Sequence, residues 1–297
     1  MTRRIALLVN PSAGKGRGAA LGAAVAASLR AAACEVVDVS AGTAEGARER
    51  ARAAIDRGVD ALVVCGGDGM VHLGAGLCAG TALPLGIVAA GTGNDVASAL
   101  GLPVHDAVAA AHVIAGGHVR SIDAGRAVDA GGVARWWVGV LGAGFDSVVN
   151  ERANGWAWPR GRLRYTAAVA RELPVFRPVP FVLEVDGRPQ ETRAMLVAVG
   201  NGPSYGGGMR VCPDADPADG LLDVVVVRAL SIPAFLRVFP RVFAGTHVRH
   251  PAVEVLRARR VRLEAPGIVA FADGERVGPL PLDCEVVPGA LRVLVTP

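Results

Sequence analysis

Ala61-Leu62-Val63-Val64-Cys65-Gly66-Gly67-Asp68-Gly69 is the stretch on which the fold turns. Five apolar residues in unbroken succession suit a short strand covered on both faces, as in a parallel sheet. The glycines that follow are expected to turn the backbone with positive φ and let it approach a phosphate closely. A helix is expected next, and its unpaired N–H groups would face an anion. An acidic residue in such a loop calls for a metal ion or a positioned water beside the phosphate, which points to Mg²⁺-nucleotide chemistry. The plainer alternative is a tight strand-to-helix turn with a capping Asp68.

Working outward, Leu85 to Ala89 repeats the pattern and leads into Gly91-Thr92-Gly93-Asn94-Asp95. Upstream, the strand-like run Ile5 to Val9 leads into Asn10-Pro11-Ser12-Ala13-Gly14. In a parallel sheet these turns share one edge, where ligands bind. Cys34 to Val39 reads as a further strand, Ala19 to Ala32 and Ala44 to Arg57 as helices, and Asp123 follows another short strand. Such alternation predicts an α/β nucleotide-binding domain over residues 1–127. Beyond it strand follows strand: Trp136 to Leu141, Phe181 to Val185, Met195 to Val199, Leu222 to Val227, Val253 to Leu256, Val261 to Leu263, Ile268 to Phe271 and Leu291 to Val295. Turns are expected at Asp186-Gly187 and Pro288-Gly289, and helices at Leu163 to Leu173 and Ile232 to Phe243. Residues 128–297 are therefore expected to form a β-rich, mainly antiparallel, sandwich-like domain, with the last strand free to return toward the first.

Composition narrows the function. Of 297 residues 52% are hydrophobic, yet the apolar runs are short, so no membrane-spanning helix is expected. A strand-like run beginning at Ile5 leaves no room for a signal peptide, and a cytoplasmic protein is expected. The five cysteines are scattered without a Cys-x-x-Cys pair, against zinc or disulfides. Net charge is +4, almost all from arginine, with Lys15 the single lysine. That balance suits an anionic membrane surface or a phosphate-rich ligand. Nucleic acid is not expected, because the basic residues are not interleaved with stacking aromatics.

Familiar nucleotide motifs fail on inspection. A P-loop around Lys15 would need Gly at position 9 and Ser or Thr at 16, which are Val9 and Gly16. The dinucleotide pattern fails because Val96 takes the sixth position after Gly91. The Asn-Pro turn, Gly66-Gly67-Asp68-Gly69 and Gly91-Thr92-Gly93-Asn94-Asp95 instead resemble the diacylglycerol kinase catalytic domain family. That family includes bacterial lipid kinases and sphingosine kinases, with NAD kinases and phosphofructokinases as distant relatives. The resemblance continues through Gly142-Ala143-Gly144-Phe145-Asp146, Pro213-Asp214-Ala215, Asp219-Gly220-Leu221-Leu222-Asp223 and Asp273-Gly274-Glu275, in order over nearly the whole chain.

The resemblance implies an ATP-dependent lipid kinase, with diacylglycerol the leading acceptor and the active site between the two domains. It places ATP along Asn10, Pro11, Ser12, Ala13, Gly14, Thr43 (or Ser40), Gly66, Gly67, Asp68, Gly69, Met70, Val71, His72 and Thr92. Glu275 matches the general base, a carboxylate able to take the proton of the attacking hydroxyl. Asp68, Asp95 and Asp123 match a carboxylate and water network around catalytic Mg²⁺. Asp219, with Asp216 and Leu221, matches a structural Mg²⁺ site of hard oxygen ligands. Met70 and His72 depart from the usual Thr and Asn. The rivals are a kinase of a sphingoid base, NAD or a soluble metabolite, and a non-catalytic lipid- or nucleotide-binding module. Retention of Asp68, Asp95, Asp123 and Glu275 together speaks against the last. A lipid substrate implies transient contact with a membrane surface by a peripheral protein, and a homodimer is left open. Two of four tryptophans, Trp156 and Trp158, lie among Arg152, Arg160, Arg162 and Arg164, a composition that fits anchoring at a membrane–water boundary as well as packing in the β domain.

Overall fold

The computed structural model describes residues 2–11, 13–16, 18–156, 158 and 162–297, with 14, 15 and 162–166 by backbone only. The chain divides into two compact units, Met1–Ala124 with Pro288–Pro297, and Gly125–Val287.

The first unit is α/β. In chain order it holds β1 (Arg4–Val9), α1 (Ala13–Gly16), α2 (Gly18–Ala31), β2 (Glu35–Asp38), α3 (Ala44–Asp56), β3 (Ala61–Gly66), α4 (Asp68–Cys78), β4 (Leu85–Ala89), α5 (Asp95–Ala99), α6 (Ala107–Gly116) and the start of β5 (Val119–Asp129). β3 and β4 are buried along their whole length, which is why their sequences are continuously apolar. The parallel order is β4-β3-β1-β2, with Ile5 beside Ala61 and Leu62 beside Leu85. One core gathers Ile5, Leu7, Val25, Leu29, Val63 and Ile114 from strands and helices.

The second unit is mainly antiparallel. It holds the rest of β5, then β6 (Ala134–Trp137), β7 (Val140–Gly144), α7 (Phe145–Asn154), α8 (Arg162–Glu172), β8 (Val179–Val185), β9 (Arg188–Gly200), β10 (Leu222–Arg228), α9 (Ile232–Val238), two 3₁₀ turns (Phe239–Val242 and Thr246–Arg249), β11 (Val253–Ala258), β12 (Arg260–Glu264), β13 (Val269–Ala272), β14 (Glu275–Pro279) and the start of β15 (Leu282–Leu294). β9 pairs antiparallel with β7, β8 and β10. Alternation along these strands feeds two cores. Val197, Val199, Val224 and Val226 enter one with Trp137 and Leu183, while Ala198, Val225 and Val227 enter another with Phe145 and Phe235.

Several sequence expectations need correction. The run Trp136 to Leu141 is two strands, interrupted at Val138-Gly139. There the backbone N–H groups donate to the Asp273 carboxylate, at 3.0 and 2.9 Å, instead of a ladder partner. The expected helix Ile232 to Phe243 tightens to 3₁₀ at Phe239, because Pro240 has no N–H to return to Leu236. Pro288-Gly289 does not end a strand. It lies inside β15, where Gly289 takes φ +63° as the chain passes from the second unit back to the first. Asp186-Gly187 is the expected hairpin turn, with φ of +47° and +80°.

Asp273 is 8% exposed and opens a second such turn, at φ +52°. Asp273→Ala orphans two buried N–H groups and should cost about 2–5 kcal/mol. Denaturant unfolding checks this, with Asp273→Asn expected to recover part of the loss.

Candidate active site

Three loops after adjacent strands β1, β3 and β4 converge in the first unit. Asn10 donates its N–H to the Cys65 carbonyl at 3.0 Å, seating the first loop on β3. A Cβ on Gly18 would lie 2.0 Å from the Asn10 carbonyl oxygen, so α2 starts hard against that turn. Gly67 and Gly91 meet backbone to backbone, and a Cβ on Gly91 would stand 2.4 Å from the Gly67 Cα. Close approach explains these glycines; positive φ does not. Gly66 ends a strand, Gly67 has φ −95° and Gly69 is helical. The left-handed residue is Asn94, at φ +62°. Its side chain holds that geometry by accepting the Gly91 N–H at 2.8 Å and donating to the Gly91 carbonyl at 3.0 Å.

Asp68, the first residue of α4, ties the two glycine loops together. Its carboxylate accepts the N–H groups of Asn94 and Asp95, each at 2.8 Å. Asp68 therefore caps a helix, but α5 and not its own. The N-cap of α4 is Gly67, which has no side chain to cap it, so backbone N–H groups at this end are offered to an anion. Met70 fills the space above Gly66, with its Cγ 2.5 Å from where a Cβ would be. Val71 is buried, His72 half-buried, and Gly69 and Thr92 exposed. Asp95 and Asp123 are each 5% exposed, and Asp123 accepts the Gly289 N–H at 2.8 Å. Among the described residues no three of His, Cys, Asp or Glu converge as a ready metal cage. These aspartates would meet an ion singly or through water.

Beside the first loop lies a cavity of about 610 Å³, lined by Val9, Pro11, Gly22, Ser40, Ala41 and Gly42 among others. Ser40 accepts the Val9 N–H at 2.9 Å, and Thr43 caps α3 by accepting the Gly46 N–H at 3.1 Å. Pro11 is exposed and Ala13 buried, Gly14 is described by its backbone, and Ser12 lies outside the described residues.

In the second unit Glu275 is exposed at the start of β14, two residues beyond the Asp273 clamp. Asp216 accepts the Ala218 N–H and Asp219 the Leu221 N–H, both at 3.0 Å, within one turn. Arg257 donates to the other Asp219 oxygen and to Asp223 at 3.2 Å, its cross-strand partner. One carboxylate with the carbonyls of its own turn suits Mg²⁺. Arg257 would then keep Asp223 alone. All five cysteines are buried, and burial pushes the Cys65 thiol up to about 11.

Sequence reading gave Asp146 no role, although it stands in the Gly142–Asp146 segment. It is buried, accepts the Tyr205 hydroxyl at 2.7 Å, and its Oδ1 has no partner among the described residues. Gly142 makes room for it, since a Cβ there would lie 2.2 Å from Oδ2. A glycine four residues before an acid in an apolar run was the available signal. Trp156 packs partly buried against the core of Phe145, Trp158 is 82% exposed, and Arg160 lies outside the described residues. No described helix is long and apolar enough to cross a membrane.

Comparison with known proteins agrees over the whole chain. A family model described as diacylglycerol kinase catalytic domain matches residues 4–127. One described as YegS C-terminal NAD kinase beta sandwich-like domain matches residues 139–295. A protein of Mycobacterium tuberculosis (strain CDC 1551 / Oshkosh) named diacylglycerol kinase is 42% identical over 98% of this chain and 94% of its own. One of Stenotrophomonas maltophilia (strain K279a), named probable lipid kinase YegS-like, is 33% identical over 81% of this chain and 80% of its own. A crystal structure from Bacillus anthracis (strain Sterne) shares the fold, with a TM-score of 0.81 at 24% identity over 99% and 95% of the two chains.

Burial raises the Asp146 carboxyl to about 6, against the opposing pull of the Tyr205 hydrogen bond. The folded chain then keeps a proton that the unfolded chain loses near pH 3.8. Stability should fall as pH rises from about 4 to 6 and stay reduced above. Asp146→Asn removes this term, so its stability relative to wild type should rise by about 3 kcal/mol between pH 4 and 7, read by urea unfolding.

Proposed function

The chain belongs to the diacylglycerol kinase family, kinases with an alcohol acceptor, and from that premise we propose that it transfers the γ-phosphoryl group of ATP to a lipid hydroxyl, diacylglycerol first. The observation that carries this reading is the pair of glycine loops locked at Gly67 and Gly91 by Asp68, beneath the uncapped start of α4. Such an arrangement offers backbone N–H groups to phosphate without a P-loop lysine. Asn10, Pro11, Ala13 and Gly14, then Gly66 to His72 and Thr92, line the nucleotide in this reading. The cavity lined by Ser40 and Gly42 has a volume that suits a nucleoside.

Phosphoryl transfer asks a protein for positioning and charge neutralisation more than for covalent chemistry. Asp68, Asp95 and Asp123 would hold a nucleotide-bound Mg²⁺, directly or through water, and the ion would supply charge neutralisation on the phosphoryl oxygens. Glu275 takes the acceptor's proton as its oxygen attacks phosphorus. Its exposure leaves it open to an incoming lipid headgroup. A lipid acceptor places the reaction at a membrane surface, approached from the cytoplasm. The decisive experiment offers labelled ATP and Mg²⁺ with diacylglycerol, sphingoid bases and NAD. Label in phosphatidic acid is expected; label confined to another acceptor, or none, overturns the reading.

Two carboxylates should separate in their variants. Asp68→Asn turns one acceptor into an NH₂ group facing a backbone N–H, so turnover should fall at least about 100-fold and the melting temperature should drop too. Glu275→Gln should cost about 10²–10⁴-fold in turnover with melting and ATP affinity unchanged.

The Asp219 turn, with the carbonyls of Asp216 and Leu221, we assign to a structural Mg²⁺. Added Mg²⁺ should raise the melting temperature of wild type and leave that of Asp219→Ala unmoved. Equal responses would remove the ion from this turn.

A further inference from the structure

We propose that α9 and the 3₁₀ turn after it form a face that docks on a bilayer rich in anionic phospholipid. This rests on the lipid-kinase reading for its purpose, though its test does not. From Ile232 to Phe243 the chain stays helical, turning from α to 3₁₀ without leaving the right-handed region. Leu236, Phe239 and Phe243 recur at helical spacing, and Leu236 and Phe243 are each 54% exposed. A single exposed apolar residue is ordinary. Two large ones a heptad apart, on a helix otherwise seated by buried Phe235 and Val238, form an amphipathic surface with its second apolar edge uncovered.

Charge identifies the occupant. Between Asp223 and Glu254 the chain holds no acidic residue, but it carries Arg237, Arg241 and Arg249, all exposed. Arg210 joins them, since its N–H donates to the Val242 carbonyl at 3.0 Å. None of these four pairs with a carboxylate among the described residues, whereas Arg152, Arg228, Arg262 and Arg276 each do. Arginines free of counter-charges beside exposed leucine and phenylalanine match the two layers of a bilayer boundary, phosphate outside and hydrocarbon within. A nucleic acid would use the arginines and leave Leu236 and Phe243 idle.

The face is also mechanically joined to the buried carboxylate. Phe243 meets Phe239 at 6.5 Å between ring centres, Phe239 stacks on Phe235 at 5.7 Å, and Phe235 meets Phe145 edge-on at 5.2 Å. Phe145 precedes Asp146 at the start of α7.

The test is co-sedimentation with vesicles of phosphatidylcholine alone and of phosphatidylcholine with phosphatidylglycerol, without nucleotide or diacylglycerol. Wild type should pellet with the anionic vesicles only, and less as salt rises. Arg237→Gln/Arg241→Gln, both at the surface, should weaken binding about 30-fold, taking about fivefold for each arginine. Leu236→Ser/Phe243→Ser should lose most of the remainder at unchanged monomer mass. Equal pelleting by the arginine variant and wild type overturns the proposal, as does failure of wild type to prefer anionic vesicles. Conversion of a wild-type dimer to monomer by Leu236→Ser/Phe243→Ser, with vesicle binding intact, would make the face a contact between copies and also overturn it. Phosphorylation of water-soluble short-chain diacylglycerol, assayed in parallel, reports on the kinase reading alone and should be unaffected by either variant.

Discussion

The carboxylate of Asp68 holds two backbone N–H groups of the second glycine loop, and the chemistry of the α/β unit depends on that bond pair. Through it the start of α5 is held against the start of α4. With it, the loops close until Gly67 and Gly91 touch, leaving no volume for a side chain at either. The same bonds spare the N-terminus of α4 from capping by its own aspartate. A phosphate can then approach backbone on two sides, which a side chain at either glycine would prevent.

The second unit uses the same device. Asp273 gathers the N–H groups of Val138 and Gly139, Asp186 those of Arg259 and Arg260, and Asp123 that of Gly289 in the first unit. An aspartate followed by glycine, as at Asp68, Asp186 and Asp273, thus reads first as a clamp on backbone, and Asp123 before Ala124 does the same without the glycine. Metal and substrate duties are compatible with this, since each carboxylate oxygen has a second lone pair. Glu275 differs in being exposed beyond its clamp. The hairpin fixes where the glutamate starts, and its side chain remains available for chemistry.

What could be read from the sequence follows what burial does to composition. β3 and β4 are covered on both faces and announce themselves as apolar runs, with their bounds found to within a residue. The first half of β9 was invisible because Arg188 to Arg193 alternate outward in polar residues, and only the hairpin turn betrays them. β14 escaped because Glu275-Arg276 and Gly278-Pro279 flank a single apolar residue, Val277. The break at Val138-Gly139 depends on a carboxylate 135 positions away, which no local pattern carries. In the site, residue types and loops were legible because glycine and aspartate are rare choices after a buried strand. Their division of labour was not. Positive φ fell to Asn94, and Asp68 serves the neighbouring helix. Asp146 went unassigned because burial of a carboxylate leaves no trace in its immediate neighbours beyond Gly142.

The chain leaves the α/β unit within β5 and re-enters it at Pro288, after Gly125–Val287 has been laid down. A ribosome adding about 5–20 residues per second needs roughly 10–30 seconds for that excursion. Throughout it β4 waits for the strand that brings Val293 beside Leu85, and Asp123 waits for the N–H of Gly289. The nascent α/β unit therefore carries an open sheet edge at β4 while the β-rich unit is still being made. Order of synthesis makes the α/β half, first to emerge, the last to be completed.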